Sequence, residues 1–359
     1  MSLSNPKADT LQPAPESPLD PATGELRFGV YGAEFPTMNL DQAWIRWRGI
    51  KIPPPLSRLR LKQWQHFGLV LPDLFVGLAV VDAGFLRTSW CHVVDRRAAP
   101  APAFEHRRSG MGLDLKVARD LWDGVTRVRE KGYQVEVHNR LGQGEHHLKL
   151  AIDERQDRPQ VGGSVRCLHD LSAIQPLVVL LPVGPGRAMY SHKVPLPLEG
   201  TLLVDGRRVE ARPDESFAIL DIHKAHYPRH TWWRWATFAW RDGANRALGL
   251  NLTHNVAGDQ PDLNENALWL EGRVQRLGSV RFEFDRQQVL EPWQLGTSCQ
   301  SVDLRFTPQG ERCENLRLGV ARSVFHQLHG TFSGTVRFDG ETIVVDRAFG
   351  LCEDHDSLW

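Results

Sequence analysis

One hairpin is written twice in this chain. Gly200-Thr201-Leu202-Leu203-Val204-Asp205-Gly206 returns 134 residues later as Gly334-Thr335-Val336-Arg337-Phe338-Asp339-Gly340. At the same spacing His192 meets His326, and at a spacing of 132 the segment Phe217 to His223 meets Phe349 to His355. Each copy reads strand, Asp-Gly turn, strand, then an acid two positions before a histidine: Asp221-x-His223 and Glu353-x-His355. Chance is the rival explanation, since G-T-x-x-x-D-G is ordinary hairpin composition; the ordered recurrence of three features favours duplication. The period is too long for a solenoid or a propeller blade. It predicts two domains, 25–228 and 229–359, after a flexible Pro-rich tail over 1–24.

The rest of the chain also reads as strands. Tyr133, Val135 and Val137 alternate with Gln134, Glu136 and His138, and Val280 to Asp285 alternates apolar with charged. Period two gives each segment one buried and one wet face. Asp205-Gly206, Asp242-Gly243 and Asp339-Gly340 supply tight turns. Helical periodicity is confined to Asp41–Arg48 and Asp114–Trp122. The expected class is all-β, two antiparallel β-barrel domains in tandem, each with room for one small ligand. A two-sheet sandwich satisfies the same patterning.

Several function classes drop out. Lys plus Arg and Asp plus Glu both number 43, so no basic excess marks a nucleic-acid binder. The longest apolar run, Leu177 to Val183, is interrupted by Pro182 and falls far short of the ~20 residues a membrane helix needs. No secretory signal opens the sequence, and five cysteines form no C-x-x-C, so reduced thiols and a cytoplasmic location are expected. Neither a phosphate-binding Gly loop nor a G-x-S-x-G elbow occurs. No cofactor is expected, and no oligomeric state follows.

Chemistry concentrates between Asp221 and Trp235, where fifteen residues hold three His and three Trp. His223, His226 and His230 offer three imidazoles, but residues three apart on a strand face opposite sides, and no metal is expected. Asp221 follows an apolar strand; burial would raise its carboxyl and a basic neighbour would lower it. Asp221, His223, Lys224 and Tyr227 are the candidate catalytic group. Candidate ligand contacts are Trp64, Tyr190, His192, His226, Trp233, Trp235, Asn251, Glu265, Asn266, Glu353 and His355. A structural salt bridge, Trp core packing and turn polarity explain the same residues without function.

The pattern Asp221-x-x-Lys224-x-His226-Tyr227-Pro228-Arg229 followed by Trp233-Arg234-Trp235-Ala236-Thr237 resembles the family named only DUF2804, a domain of unknown function. Leu61 to Trp64, Gly249 to Leu252, Glu265 to Trp269 and Glu353-x-His355-x-x-x-Trp359 extend the likeness along the whole chain. More distantly the layout is similar to tandem lipocalin-like (calycin) proteins that include carotenoid 1,2-hydratases and Diels–Alderases. That resemblance implies two lipocalin-like barrels and an apolar-ligand pocket. The hydratase-type motif carries a second acid where this chain has His223, so hydratase activity does not carry over. The leading expectation is binding of a hydrophobic small molecule, lipid- or terpenoid-like. Its rivals are a cofactor-independent hydratase, isomerase or cyclase using Asp221 as acid or base, and a non-catalytic interaction protein.

Overall fold

The computed structural model describes residues 11–47, 49–97, 103–258, 260–319 and 321–358. It is almost entirely antiparallel sheet. Twelve strands position the site: β1 (Lys62–Val70), β2 (Leu74–Asp82), β3 (Arg87–Asp95), β4 (Ala103–Gly110), β5 (Ala188–Val204), β6 (Phe217–Ala225), β7 (His230–Arg241), β8 (Ala247–Asn255), β9 (Ala267–Leu270), β10 (Val302–Leu318), β11 (Ala321–Phe338) and β12 (Glu341–Leu358). The first sheet runs β4-β3-β2-β1-β6-β5 and continues through the strands Val161–Leu168, Glu145–Ile152, Tyr133–Arg140 and Val125–Glu130. The second runs β9-β8-β7-β12-β11-β10, flanked by Arg273–Arg276 at one end and by Trp293–Thr297 and Val280–Glu283 at the other. Both curl into half-barrels. β1, β6 and β5 occupy the places in the first sheet that β7, β12 and β11 occupy in the second, so the duplication is one of topology as well as sequence.

The repeated motif has a backbone reason. Asp205 and Gly206 both take positive φ (51° and 70°), as do Asp339 and Gly340 (48° and 84°), the conformation of a two-residue hairpin turn. Gly200 and Gly334 lie at φ 124° and 141°, where a Cβ would sit 2.5 Å from the Ser164 carbonyl and 2.3 Å from that of Asp303. Asp242-Gly243 turns differently: Asp242 Oδ1 accepts from the backbone N–H of Ala244 and Arg246, and Asn245 takes the positive φ.

Strand parity sets the cores. On β6, Ala218, Leu220 and Ile222 point into the first half-barrel with Phe67, Leu78 and Val194. On β7, Ala236 and Phe238 point into the second with Leu250, Leu328 and Cys352. The alternate residues face the other sheet. There Val70, Phe75, Val94, Phe217, Ile219, Trp235, Ala239, Phe349 and Leu351 form one buried cluster. Each such side chain contributes roughly 1.5–3 kcal/mol on burial, against about 0–1 for an exposed ion pair. This patch joins the sheets, and the Arg107–Glu314 and Arg312–Glu105 bridges link β4 to β10 as well.

Three local expectations are corrected. Residues 11–24 pack onto the first half-barrel: Leu19 is buried, and Asn39 bonds its backbone in both directions; residues 1–10 lie outside the described residues. Asp114–Trp122 is extended, because Leu115 pairs with Val128, and Asp120 Oδ1 accepts from the N–H of Trp122 and Asp123 in a turn. Asp41–Arg48 holds one short 3-10 turn (Leu40–Gln42) and a strand (Ile45–Trp47), with Arg48 outside the described residues. Among the described residues no helix is long and apolar enough to cross a membrane.

Candidate functional site

The cavity lies between the two sheets, formed by the faces each half-barrel turns away from its own core. Its volume is about 170 Å³, within a cleft whose empty space, mouth included, is about 1200 Å³. Trp64, Trp90, Trp233 and Trp235 supply most of the aromatic wall, with Val81, Leu86 and Phe325 between them. Trp64 is stacked on His223 (ring centroids 4.4 Å apart) and reaches Trp233 across the cleft at 5.6 Å.

Opposite the indoles is a buried charged cluster. Asp221 Oδ1 accepts from the Lys193 ammonium and from His223 Nε2, 3.2 Å away, while its Oδ2 accepts from the Trp64 indole N–H at 3.3 Å. Burial alone would raise the Asp221 carboxyl, but Lys193 and His223 outweigh it and hold the group well below the usual carboxylate range. His223 Nδ1 is hydrogen-bonded to the Tyr227 hydroxyl at 3.1 Å, which burial keeps protonated. Glu265 comes in from the loop before β9: Oε1 lies 3.5 Å from His223 Nε2 and 4.0 Å from Lys193 Nζ, and Oε2 accepts from Asn255 at 2.8 Å.

The second acid behaves in the opposite way. Glu353 receives the Trp233 indole N–H on Oε2 (2.9 Å) and the Gln327 amide on Oε1 (2.6 Å). Burial nonetheless pushes its carboxyl up to about 7, with Asp221 adding to the rise. His355 packs edge-on to Trp233 and bonds Ser323 at 3.0 Å; burial lowers its imidazole to about 3. Around neutrality the cavity therefore sets an ionised Asp221 beside a Glu353 in the middle of its titration. An acid and a base are separated by environment in this way.

Of the residues singled out from sequence, Asp221, His223, Tyr227, Trp64, Trp233, Trp235, Glu265, Glu353 and His355 line the cavity together. Lys224 does not. Being one residue out of phase with Asp221, it points into the first half-barrel, donates to Gln63 and to the Ala118 carbonyl, and is lowered to about 8 by burial. The same parity places Tyr190 and His192 there, both bonded to Glu34. His226 is buried behind the site without a side-chain hydrogen bond, and His230 pairs with Asp356 at the surface, so the three imidazoles do not converge. Among the described residues no cluster of His, Cys, Asp or Glu could hold a metal. Asn251 accepts from the Trp235 indole and donates to the Glu265 carbonyl, and Asn266 binds the Thr253 N–H; both brace the wall rather than line it.

Sequence reasoning missed Lys193, His66, Gln327 and Trp90. His66 is 4 % exposed and lowered to about 4 by burial. Neither of its ring nitrogens has a hydrogen-bond partner in the protein. Only the pairing register reveals Lys193 and Gln327: Lys193 stands opposite Asp221, and Gln327 opposite Glu353. The signal available was the repeat spacing of 134, which relates the two.

The family described as Domain of unknown function (DUF2804) matches residues 14–359, and the chain belongs to it. No curated protein matches the chain. Among solved structures, CghA with Sch210972 is similar at a TM-score of 0.52 and 8% identity, over 83% of this chain and 88% of that one. CghA alone gives 0.51 and 10%, over 83% and 87%. Kievitone hydratase from Nectria haematococca gives 0.48 and 11%, over 83% and 88%. The first two establish the tandem half-barrel architecture as a shared fold.

Proposed function

We propose that this member of the DUF2804 family binds a small molecule with a largely apolar body and a polar group in the cavity between its sheets. The supporting observation is a wall of four indoles facing buried polar groups, some of them without partners. His66, which lines the cavity, makes no hydrogen bond in the protein through either Nδ1 or Nε2, although buried polar atoms are normally satisfied. A ligand group, or water that a ligand displaces, supplies those partners. The apolar remainder of the ligand gains by leaving water for the Trp surface. Native mass spectrometry of the protein as expressed, with uptake of an apolar fluorophore, tests the reading. A bound adduct that Trp235→Arg abolishes supports it. No adduct and no uptake by the folded protein overturns it.

A second reading is acid–base catalysis in the same cavity without a cofactor. The separated states of Glu353 and Asp221 favour it. Glu353 then delivers a proton to an alkene carbon: the π pair forms the new C–H bond and leaves a cation on the neighbouring carbon. Loss of a proton from the next carbon to Asp221 re-forms the double bond at a shifted position. The cation would be flanked by indole faces, which attract positive charge. Asp221 is the base here, since its proton is already lost. Turnover of an alkene substrate that survives both Glu353→Gln and Asp221→Asn would remove this reading.

A further inference from the structure

Asp221 and Glu353, the acids of the two repeats, sit in the same local frame. Asp221 on β6 receives the indole N–H of Trp64, and Trp64 stands opposite His223 in the β1–β6 ladder. Glu353 on β12 receives the indole N–H of Trp233, and Trp233 stands opposite His355 in the β7–β12 ladder. On the other flank Asp221 faces Lys193 of β5, and Glu353 faces Gln327 of β11. Lys193 and Gln327 are 134 residues apart, the spacing of the duplicated hairpin. The same acid–Trp–His unit is thus built on each side of one cavity. The copies differ in the acid, in Lys against Gln, and in the partner of the histidine, which is Asp221 for His223 and Ser323 for His355.

We propose that this exchange has split the duplicated unit into an anionic half on Asp221 and a hydrogen-bond-donating half on Glu353, so that the ligand presents a neutral acceptor, a carbonyl, ester or ether oxygen, to Glu353. This deepens the small-molecule reading and rests on it. Each Glu353 oxygen already receives one N–H, from Trp233 and from Gln327, so an O–H proton on the acid is left for the Gln327 amide oxygen or for whatever fills the cavity. The charged and titratable groups that line the cavity with it are the Asp221–Lys193 pair on β6 and β5, Arg312 on β10, the Arg107–Glu314 pair of β4 and β10, Lys62 of β1, Tyr227 and the rings of His66, His223 and His355, with Glu265 behind His223. Lys193 is committed to Asp221, and Arg312 to Glu105. Lys193 therefore acts on Glu353 only as a lesser charge that does not offset burial, and Gln327 supplies a donor without a charge. A carboxylate ligand would meet Asp221 and Glu265; an amine would meet an acid already paired.

Two arms test the proposal on the full chain. In the first, carboxyl carbons are labelled and titrated by NMR, with Glu353→Gln identifying its signal. One Glu carboxyl should titrate near pH 7, Gln327→Lys should move it to or below the usual carboxylate value of about 4.3, and Lys193→Gln should raise an Asp carboxyl. No carboxyl titrating near neutrality, or one indifferent to both exchanges, overturns the split. In the second, methyl decanoate, decanoate and decylamine displace 1-naphthylphenylamine. The ester should bind best and lose about fivefold in Gln327→Lys, the loss of one neutral hydrogen bond. A preference for decanoate, or an ester affinity unchanged in that variant, overturns the ligand class. If titrations follow the pattern while nothing binds, the small-molecule reading falls and the split stands; the converse result does the reverse.

Discussion

Replacing Lys193 by Met keeps the apolar stem and removes the ammonium, leaving the Asp221 carboxylate buried. Lys193 Nζ bonds Asp221 Oδ1 and lies 4.0 Å from Glu265 Oε1, so one cation serves two acids. At 4 Å a unit-charge pair is worth about 4 kcal/mol at an effective dielectric of 20. Breaking a buried pair typically costs about 3–5 kcal/mol, and that is the destabilisation expected at pH 7.5. The pH dependence has a definite sign. In the native protein the Asp221 carboxyl is depressed, so its contribution is present above the unfolded value of 3.8 and fades only as pH falls through the still lower folded value. In Lys193→Met burial dominates and the folded value rises above the unfolded one. The penalty is then full above the raised value and shrinks by up to about 1.4 kcal/mol per pH unit as pH falls through it. Urea unfolding followed by Trp fluorescence at pH 7.5 and pH 5 reads both. A loss below about 1 kcal/mol, or one that does not shrink at pH 5, would refute the placement of this ion pair.

Three further substitutions separate the parts of the account. Below pH 6, where Glu353 is mostly protonated, Glu353→Gln replaces the acid by an isostere and should cost about 1 kcal/mol, while Asp221→Asn strands Lys193 and should cost several times more; equal costs in urea unfolding at that pH would contradict the assignment. Lys224→Met should leave fluorophore affinity within about twofold, because its ammonium lies on the far face of β6; a large drop would return it to the site. Gly334→Ala puts a Cβ 2.3 Å from the Asp303 carbonyl at φ 141°, so it should destabilise by at least about 2 kcal/mol; a neutral effect measured by thermal unfolding would mean the repeat glycine is incidental.

Fold class and duplication were legible because both rest on local chemistry: alternation over two residues and Asp-Gly turns with positive φ. The location of the cavity was not. Alternation shows that Asp221 and Lys224 differ in phase, but not which face of β6 is the half-barrel interior, since both faces are buried. The usual contrast of apolar and polar faces is therefore lost on this strand. In the segment 232–235 the alternation was legible, since indoles at 233 and 235 share a face, and that face is the one turned to the cavity. Lys193 escaped notice because Arg212–Ser216 interrupts the strand between the Asp205-Gly206 turn and β6, so counting back through the hairpin does not give the partner of Asp221. In the second copy β12 runs unbroken and absorbs the difference at a bulge near Phe332 and Gly334.

The central claim is that one cavity, walled by indoles from both sheets, takes an apolar ligand. The 15N–1H indole resonances report on it directly. On titration with methyl decanoate, the Trp64 and Trp233 signals should shift together and saturate. Those of Trp122 and Trp293, whose N–H groups are held by the carbonyls of Phe35 and Val289 away from the cleft, should stay in place. Indoles of Trp64 and Trp233 that do not respond, or a shift spread evenly over all four, would contradict the account.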